Sequence, residues 1–246
     1  MHAKKRYLVA MLALWSFVAQ AHEYVTFDGG TRIEFSKPLL ARERSLFGPG
    51  LKKATFVRSD GSRFDLFAME RLNRNGGILF SGVQDVLVSP SGRFAVLITL
   101  RVGVLREFKK PNRIVDRQYC PAIDTHSGCI LSNQTGGICG GRWDGAVDTW
   151  HVGGESGDFD ATAAMTEMQG LDVNLIWEDY QSGKMEGGHS SLSGLIESKL
   201  GVQNILACAN SRDINIALYE RVAAQLEREG DRASARYIRS QFGARK

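Results

Sequence analysis

The stretch SPSGRFAVLITL, Ser89 to Leu100, carries in miniature the pattern that sets the fold. Ser89-Pro90-Ser91-Gly92 is turn chemistry, because proline presets φ and glycine accepts the positive φ of a tight turn. Beyond it Phe94, Val96, Ile98 and Leu100 alternate on one face at period two, the spacing of a β-strand with one apolar side. The run from Val83 to Val88 completes a hairpin. Toward the N-terminus the same unit returns as FDGGTRIEF (Phe27 to Phe35) and RSDGSRFDLF (Arg58 to Phe67). Arg32, Arg63 and Arg93 each follow a glycine turn at a spacing of about thirty residues. Three units fall short of the four blades of a propeller, so an open, twisted antiparallel sheet or half-barrel is expected. Turn chemistry alone also makes hairpins look alike, so true repetition stays open.

After Gly157 the period changes. Val173, Ile176, Trp177 and Tyr180 fall at helical spacing, as do Leu192, Leu195 and Ile196, a run that stops at Gly201. Ile216, Tyr219, Ala223 and Leu226 mark another helix. Gly230 closes it, Asp231 caps the next, and Ala235, Ile238 and Phe242 continue as a helical hairpin. The fold class is therefore α+β: an N-terminal antiparallel β-hairpin sheet or half-barrel, a disulfide-braced loop region, and C-terminal helices ending in a helical hairpin.

The first residues, MHAKKRYLVAMLALWSFVAQAHE, place Lys4, Lys5 and Arg6 before an apolar run from Tyr7 to Val18 and an Ala19-Gln20-Ala21 end. That is the order of a cleavable secretory signal over residues 1–21. The apolar run is about twelve residues, short of the ~20 that span a bilayer, so no membrane span is expected after cleavage. Removing the three cations takes the net charge from +4 to about +1, and nucleic acid is not an expected partner. Residues 22–246 then form a single compact domain, β-rich over 22–110, Cys/Gly-rich loop over 111–157 and helical over 158–246, in a periplasmic location.

Export bears on QYCPAIDTHSGCILSNQTGGICGG, Gln118 to Gly141, which holds Cys120, Cys129 and Cys139; the fourth cysteine is Cys208. An even cysteine count in an oxidising compartment points to disulfides. Zinc favours close ligand pairs, whereas these cysteines are separated by eight and nine residues. A catalytic thiol would need a spare cysteine beside a histidine such as His126. Four cysteines allow three pairings. The preferred one joins Cys120 to Cys129 and Cys139 to Cys208, closing loops worth about 2.7 and about 4.4 kcal/mol on the chain-entropy model.

Catalytic signatures come close and miss. Gly154-Glu155-Ser156-Gly157-Asp158 and Gly188-His189-Ser190-Ser191-Leu192 both lack the last glycine of G-x-S-x-G, and metalloprotease, P-loop and dinucleotide patterns do not occur. Glu155, Asp158 and Asp160 lack calcium-loop spacing, and Asp160 suits a helix start before Ala161 to Met168. Cleavage after Ala21 would expose His22, whose amino group and imidazole could chelate copper with His126, His151 or His189; no spacing announces that geometry, and a solvated N-terminus is simpler. No metal or cofactor is expected. Arg142, Trp143, Asp144, Trp150 and His151 form the best candidate partner-binding set, since Trp and Arg dominate binding hot spots. The competing role for Trp143 and Trp150 is to fill a small core beneath the loop.

Asp116 to Trp143, DRQYCPAIDTHSGCILSNQTGGICGGRW, following SPSGRFAVLI, resembles a pattern in periplasmic immunity proteins of Gram-negative bacteria, which neutralise interbacterial, type VI-like toxins. The resemblance implies a non-enzymatic inhibitor in the cell envelope whose partner is a secreted toxin protein. The alternatives are an exported hydrolase or histidine-brace copper enzyme with a dispersed site, and a cell-envelope assembly factor. Export and the even count together predict no free thiol in the mature protein, checked by thiol titration in denaturant without reductant. One stoichiometric thiol would restore the metal and nucleophile alternatives.

Overall fold

The computed structural model describes residues 23–106, 108–109, 112–154, 157–185, 191–209 and 215–242. The strands are β1 (Glu23–Thr26), β2 (Arg32–Pro38), β3 (Leu51–Val57), β4 (Arg63–Asp65), β5 (Gly76–Phe80), β6 (Val86–Val88), β7 (Phe94–Leu97), β8 (Thr99–Leu105), β9 (Arg113–Asp124), β10 (Ile130–Thr135), β11 (Arg142–Asp144), β12 (Thr149–Val152) and β13 (Phe159–Asp160). The helices are α1 (Ala41–Phe47), α2 (Thr162–Met165), α3 (Val173–Met185), α4 (Leu192–Ser198), α5 (Val202–Cys208), α6 (Ile216–Arg228) and α7 (Arg232–Phe242). The fold is α+β. β1 to β10 make one antiparallel, nearly barrel-shaped sheet, and β11 to β13 make a small second sheet. Among the described residues, no helix is long and apolar enough to cross a membrane.

All three hairpins read from glycine turns are present: β1 with β2, β3 with β4, and β6 with β7. The alternating stretch itself is not one strand. β7 and β8 pair with β9 in a single register, Val96 opposite Ala122 and Thr99 opposite Tyr119, but the ladder breaks between them where Pro121 supplies no N–H. There the Ile98 N–H turns to the Asp85 carbonyl and its own carbonyl accepts from Ser81. Both faces of β7 are covered. Ala95 and Leu97 join the main core with the helices, while Val96 packs with Trp150 and Phe94 with Leu131. Two of the recurring arginines, Arg32 and Arg63, converge on Glu34. Burial pushes that carboxyl up, but hydrogen bonds from both guanidiniums hold it below its ordinary value.

The main core sits between the concave sheet face and the helices: Phe35, Phe56, Phe80 and Ile123 meet Ile176, Tyr219, Leu226 and Ile238. Helix ends follow the sequence signals. Ser191 accepts from the Gly194 N–H at the start of α4, Gly230 takes φ 91° after α6, and Asp231 accepts from the Ser234 N–H to open α7.

The stretch 111–157, read as loop, contributes β9, the longest strand, and β10 beside it. This corrects the disulfide pairing: the bridges are Cys120–Cys139 and Cys129–Cys208. In the β9–β10 hairpin Cys120 stands opposite Gln134, whereas Cys129 lies at the turn, its carbonyl bound by Asp124 N–H. Four strand residues separate the two positions by about 13 Å, beyond the ~7 Å a disulfide tolerates. Register thus decides against the Cys120–Cys129 pairing. The observed bridges are worth about 3.3 and about 4.5 kcal/mol on the chain-entropy model.

Two buried contacts secure the junction between sheet and helices. The Asn204 amide on α5 accepts from Ile130 N–H at 2.7 Å and donates to the Ile130 carbonyl at 3.1 Å, acting as a one-residue strand partner. Gly128, at φ 75°, lies so close to Phe56 that a Cβ would sit 2.6 Å from the ring. Replacing Asn204 with Leu should cost about 1–3 kcal/mol for each Ile130 group left unpaired. Gly128→Ala should cost about 1–3 kcal/mol through overpacking alone. Urea unfolding of the oxidised protein measures both.

Candidate protein-binding face

The Cys120–Cys139 bridge pins the 3-10 turn Gly136–Gly140 against β9, and the chain then enters β11. Gly141 is required here because any Cβ would collide with the Trp150 indole. Trp150 is wholly buried: its Nε1 donates to the Ile138 carbonyl at 2.9 Å, and its backbone N–H donates to Thr162 Oγ1 at 2.7 Å. Trp143 stacks on Phe94 at 5.8 Å, meets Trp150 edge-on at 5.0 Å, and donates from Nε1 to the Leu87 carbonyl on β6. Both indoles therefore build the platform, Trp150 wholly and Trp143 partly buried, each with its Nε1 donor satisfied.

Strand alternation sends the other members of the set outward. Arg142 is opposite His151, Asp144 opposite Thr149, and His151 opposite Asp160, so these five line the outer face. Arg142 pairs with Asp158 at 2.9 Å, with both side chains about half exposed, and such a pair contributes only about 0–1 kcal/mol. Among the described residues Asp144 accepts a side-chain hydrogen bond only from the Gly145 N–H, while Val147 at the hairpin tip is 82% exposed. Asp160 accepts from Thr162 N–H at the start of α2, and its carboxyl is held below the ordinary range chiefly by Thr162. Of the histidines considered for copper, His126 and His151 stand on separate elements, and His22 and His189 lie outside the described residues, as do Glu155 and Ser156. Among the described residues no three His, Cys, Asp or Glu side chains gather as a metal site.

The residue that sequence reasoning missed is Asp148. It is buried at φ 55° and accepts from the Ser91 N–H at 3.0 Å and from the Ser91 hydroxyl, tying the tip of the β11–β12 hairpin to the Ser89–Gly92 turn. An aspartate at the end of a glycine-led turn is the only sequence signal, and its partner lies 57 positions away. Burial pushes the carboxyl up, yet the hydrogen bonds of Ser91 and Ser89 hold it below its ordinary value.

Comparison of the chain with protein-family models, curated proteins and solved structures finds no match.

A carboxyl with a lowered folded pKa stabilises the fold above its unfolded value of 3.8 and loses that contribution as pH falls through the folded pKa. Asp148→Asn keeps a residue that tolerates positive φ but removes the charge. Wild type should exceed the variant in stability near neutral pH, and the difference should shrink below about pH 4. Chemical denaturation across pH 2.5–7 checks this; a pH-independent difference would mean that the charge is not what holds the turn.

Proposed function

We propose that this chain is an exported, non-enzymatic protein that binds and inhibits another protein, most concretely a periplasmic immunity protein against a secreted bacterial toxin. The observation that carries the proposal is the division of the β11–β12 hairpin into a structural side and a free side. Trp143, Trp150 and the Cys120–Cys139 bridge hold the backbone rigid, while Arg142, Asp144 and His151 are not needed for the core. A preorganised polar face with one protruding apolar residue, Val147, suits recognition with little ordering cost. The signal-like first 21 residues and the two disulfides fit an oxidising compartment. The resemblance of Asp116 to Trp143 to periplasmic immunity proteins supplies the toxin as partner.

The test is survival of cells that export the chain when challenged with secreted bacterial toxins, beginning with any toxin encoded beside its gene. The wild type should protect, and a version without residues 1–21 should not. Arg142→Ala combined with Asp144→Ala should leave the Tm nearly unchanged, since exposed changes usually cost within ~0.5 kcal/mol. The same double variant should weaken toxin binding in a pull-down. Protection by the form retained in the cytoplasm would overturn the compartment, and full binding by the double variant would remove this face from the interface.

A further inference from the structure

A cleft of about 750 Å³ opens at one end of the sheet, where the turn regions Arg58–Ser62, Ser89–Arg93 and Asp124–Gly128 face α5 and α7. Its volume is that of a small-ligand site. We infer that this cleft binds a small organic anion, a carboxylate or phosphate carried on an apolar body, independently of any protein partner.

Two arginines carry the argument. The Arg58 guanidinium lies over the Phe64 ring at 4.8 Å and that of Arg93 over Phe94 at 5.0 Å. Stacking on an aromatic ring engages the guanidinium face and leaves its edge N–H donors pointing elsewhere. Arg32, Arg63, Arg71, Arg101, Arg142 and Arg239 all meet carboxylates. Among the described residues no carboxylate lies within ion-pair distance of Arg58 or Arg93. The side-chain bond of Arg58 is a long one, 3.5 Å to the Ser62 hydroxyl.

The acids nearby take hydrogen bonds from turn residues, and among the described residues none pairs with either guanidinium. Asp60 accepts from the Ser62 N–H, Asp124 accepts from the N–H groups of His126 and Ser127 and the Ser127 hydroxyl, and Asp148 is held by Ser91. Phe64, Leu206 and Phe242 supply an apolar wall. Tyr237 adds a half-buried phenol that burial keeps protonated, a donor suited to an anion. Cys208 lines the same cleft, and its bridge to Cys129 fixes the two walls relative to each other.

The experiment is isothermal titration of the full oxidised chain with benzoate and phenyl phosphate, with benzamide as the neutral isostere. At least one anion should bind, and the preferred one separates a carboxylate ligand from a phosphate ligand. Benzamide should bind at least roughly tenfold more weakly, as should the preferred anion to Arg58→Gln/Arg93→Gln, because charge-assisted bonds are lost. Ring resonances of Phe64, Tyr237 and Phe242 should shift on titrating the wild type, a readout that needs no variant. Absence of anion binding at millimolar concentration, equal binding of benzamide, or shifts confined to other aromatic residues would overturn the inference.

Discussion

The Cys129–Cys208 bridge and the Asn204 amide beside it form the constraint on which the rest of the structure depends. Together they lock the β9–β10 turn to α5, so that a sheet built from one half of the chain and helices built from the other share a single core. The bridge shrinks the unfolded ensemble across 79 positions, and the amide satisfies backbone groups that the approaching helix would otherwise strip of water. The disulfide sets proximity, and the hydrogen bonds set orientation.

From that joint the sheet organises in both directions. β9 runs through its middle, pairing with β7 and β8 on one side and β10 on the other. Pro121 interrupts the ladder between β7, whose second neighbour is β6, and β8, whose second neighbour is β5, so one continuous stretch serves two packing environments. The glycine turns at the end of the sheet are gathered by Thr125, whose hydroxyl donates to the Gly92 carbonyl, whose N–H donates to the Arg93 carbonyl and whose own carbonyl accepts from Thr31. Turns that look alike for local reasons thereby acquire a common place in space, next to the cleft.

Aromatic and charged residues divide the work around this frame. Phe94, Trp143 and Trp150 close the seam between the large and small sheets, and Arg142, Asp144 and His151 beside the two indoles face outward because strand side chains alternate. Arginines beside carboxylates, as at Glu34, hold strands in register; Arg58 and Arg93, laid on rings, do not. The first arrangement consumes donors and the second preserves them. A candidate surface and a candidate cleft thus arise from the same strand and turn elements that hold the fold together.

By itself, the sequence determined what local chemistry decides. Glycine turns with period-two runs specify hairpins, 3.6-residue spacing with Gly230 and Asp231 specifies the last two helices, and their order along the chain specifies α+β. Alternation also separates Arg142 and Asp144 from Trp143 once a strand is assumed. Tertiary structure decided everything that rests on long-range geometry. The pairing of cysteines followed from the register of β9 against β10, which loop length cannot report. The glycine and cysteine density of residues 111–157 suggested loop, yet burial of 120–123 and 130–132 on both faces goes with a paired hairpin there, since a buried backbone must be paired. Asp148 found Ser91, and Arg58 and Arg93 found one cleft, only because distant turns converge. No periodicity records such a meeting, because the free energy that enforces it comes from burying the whole core at once.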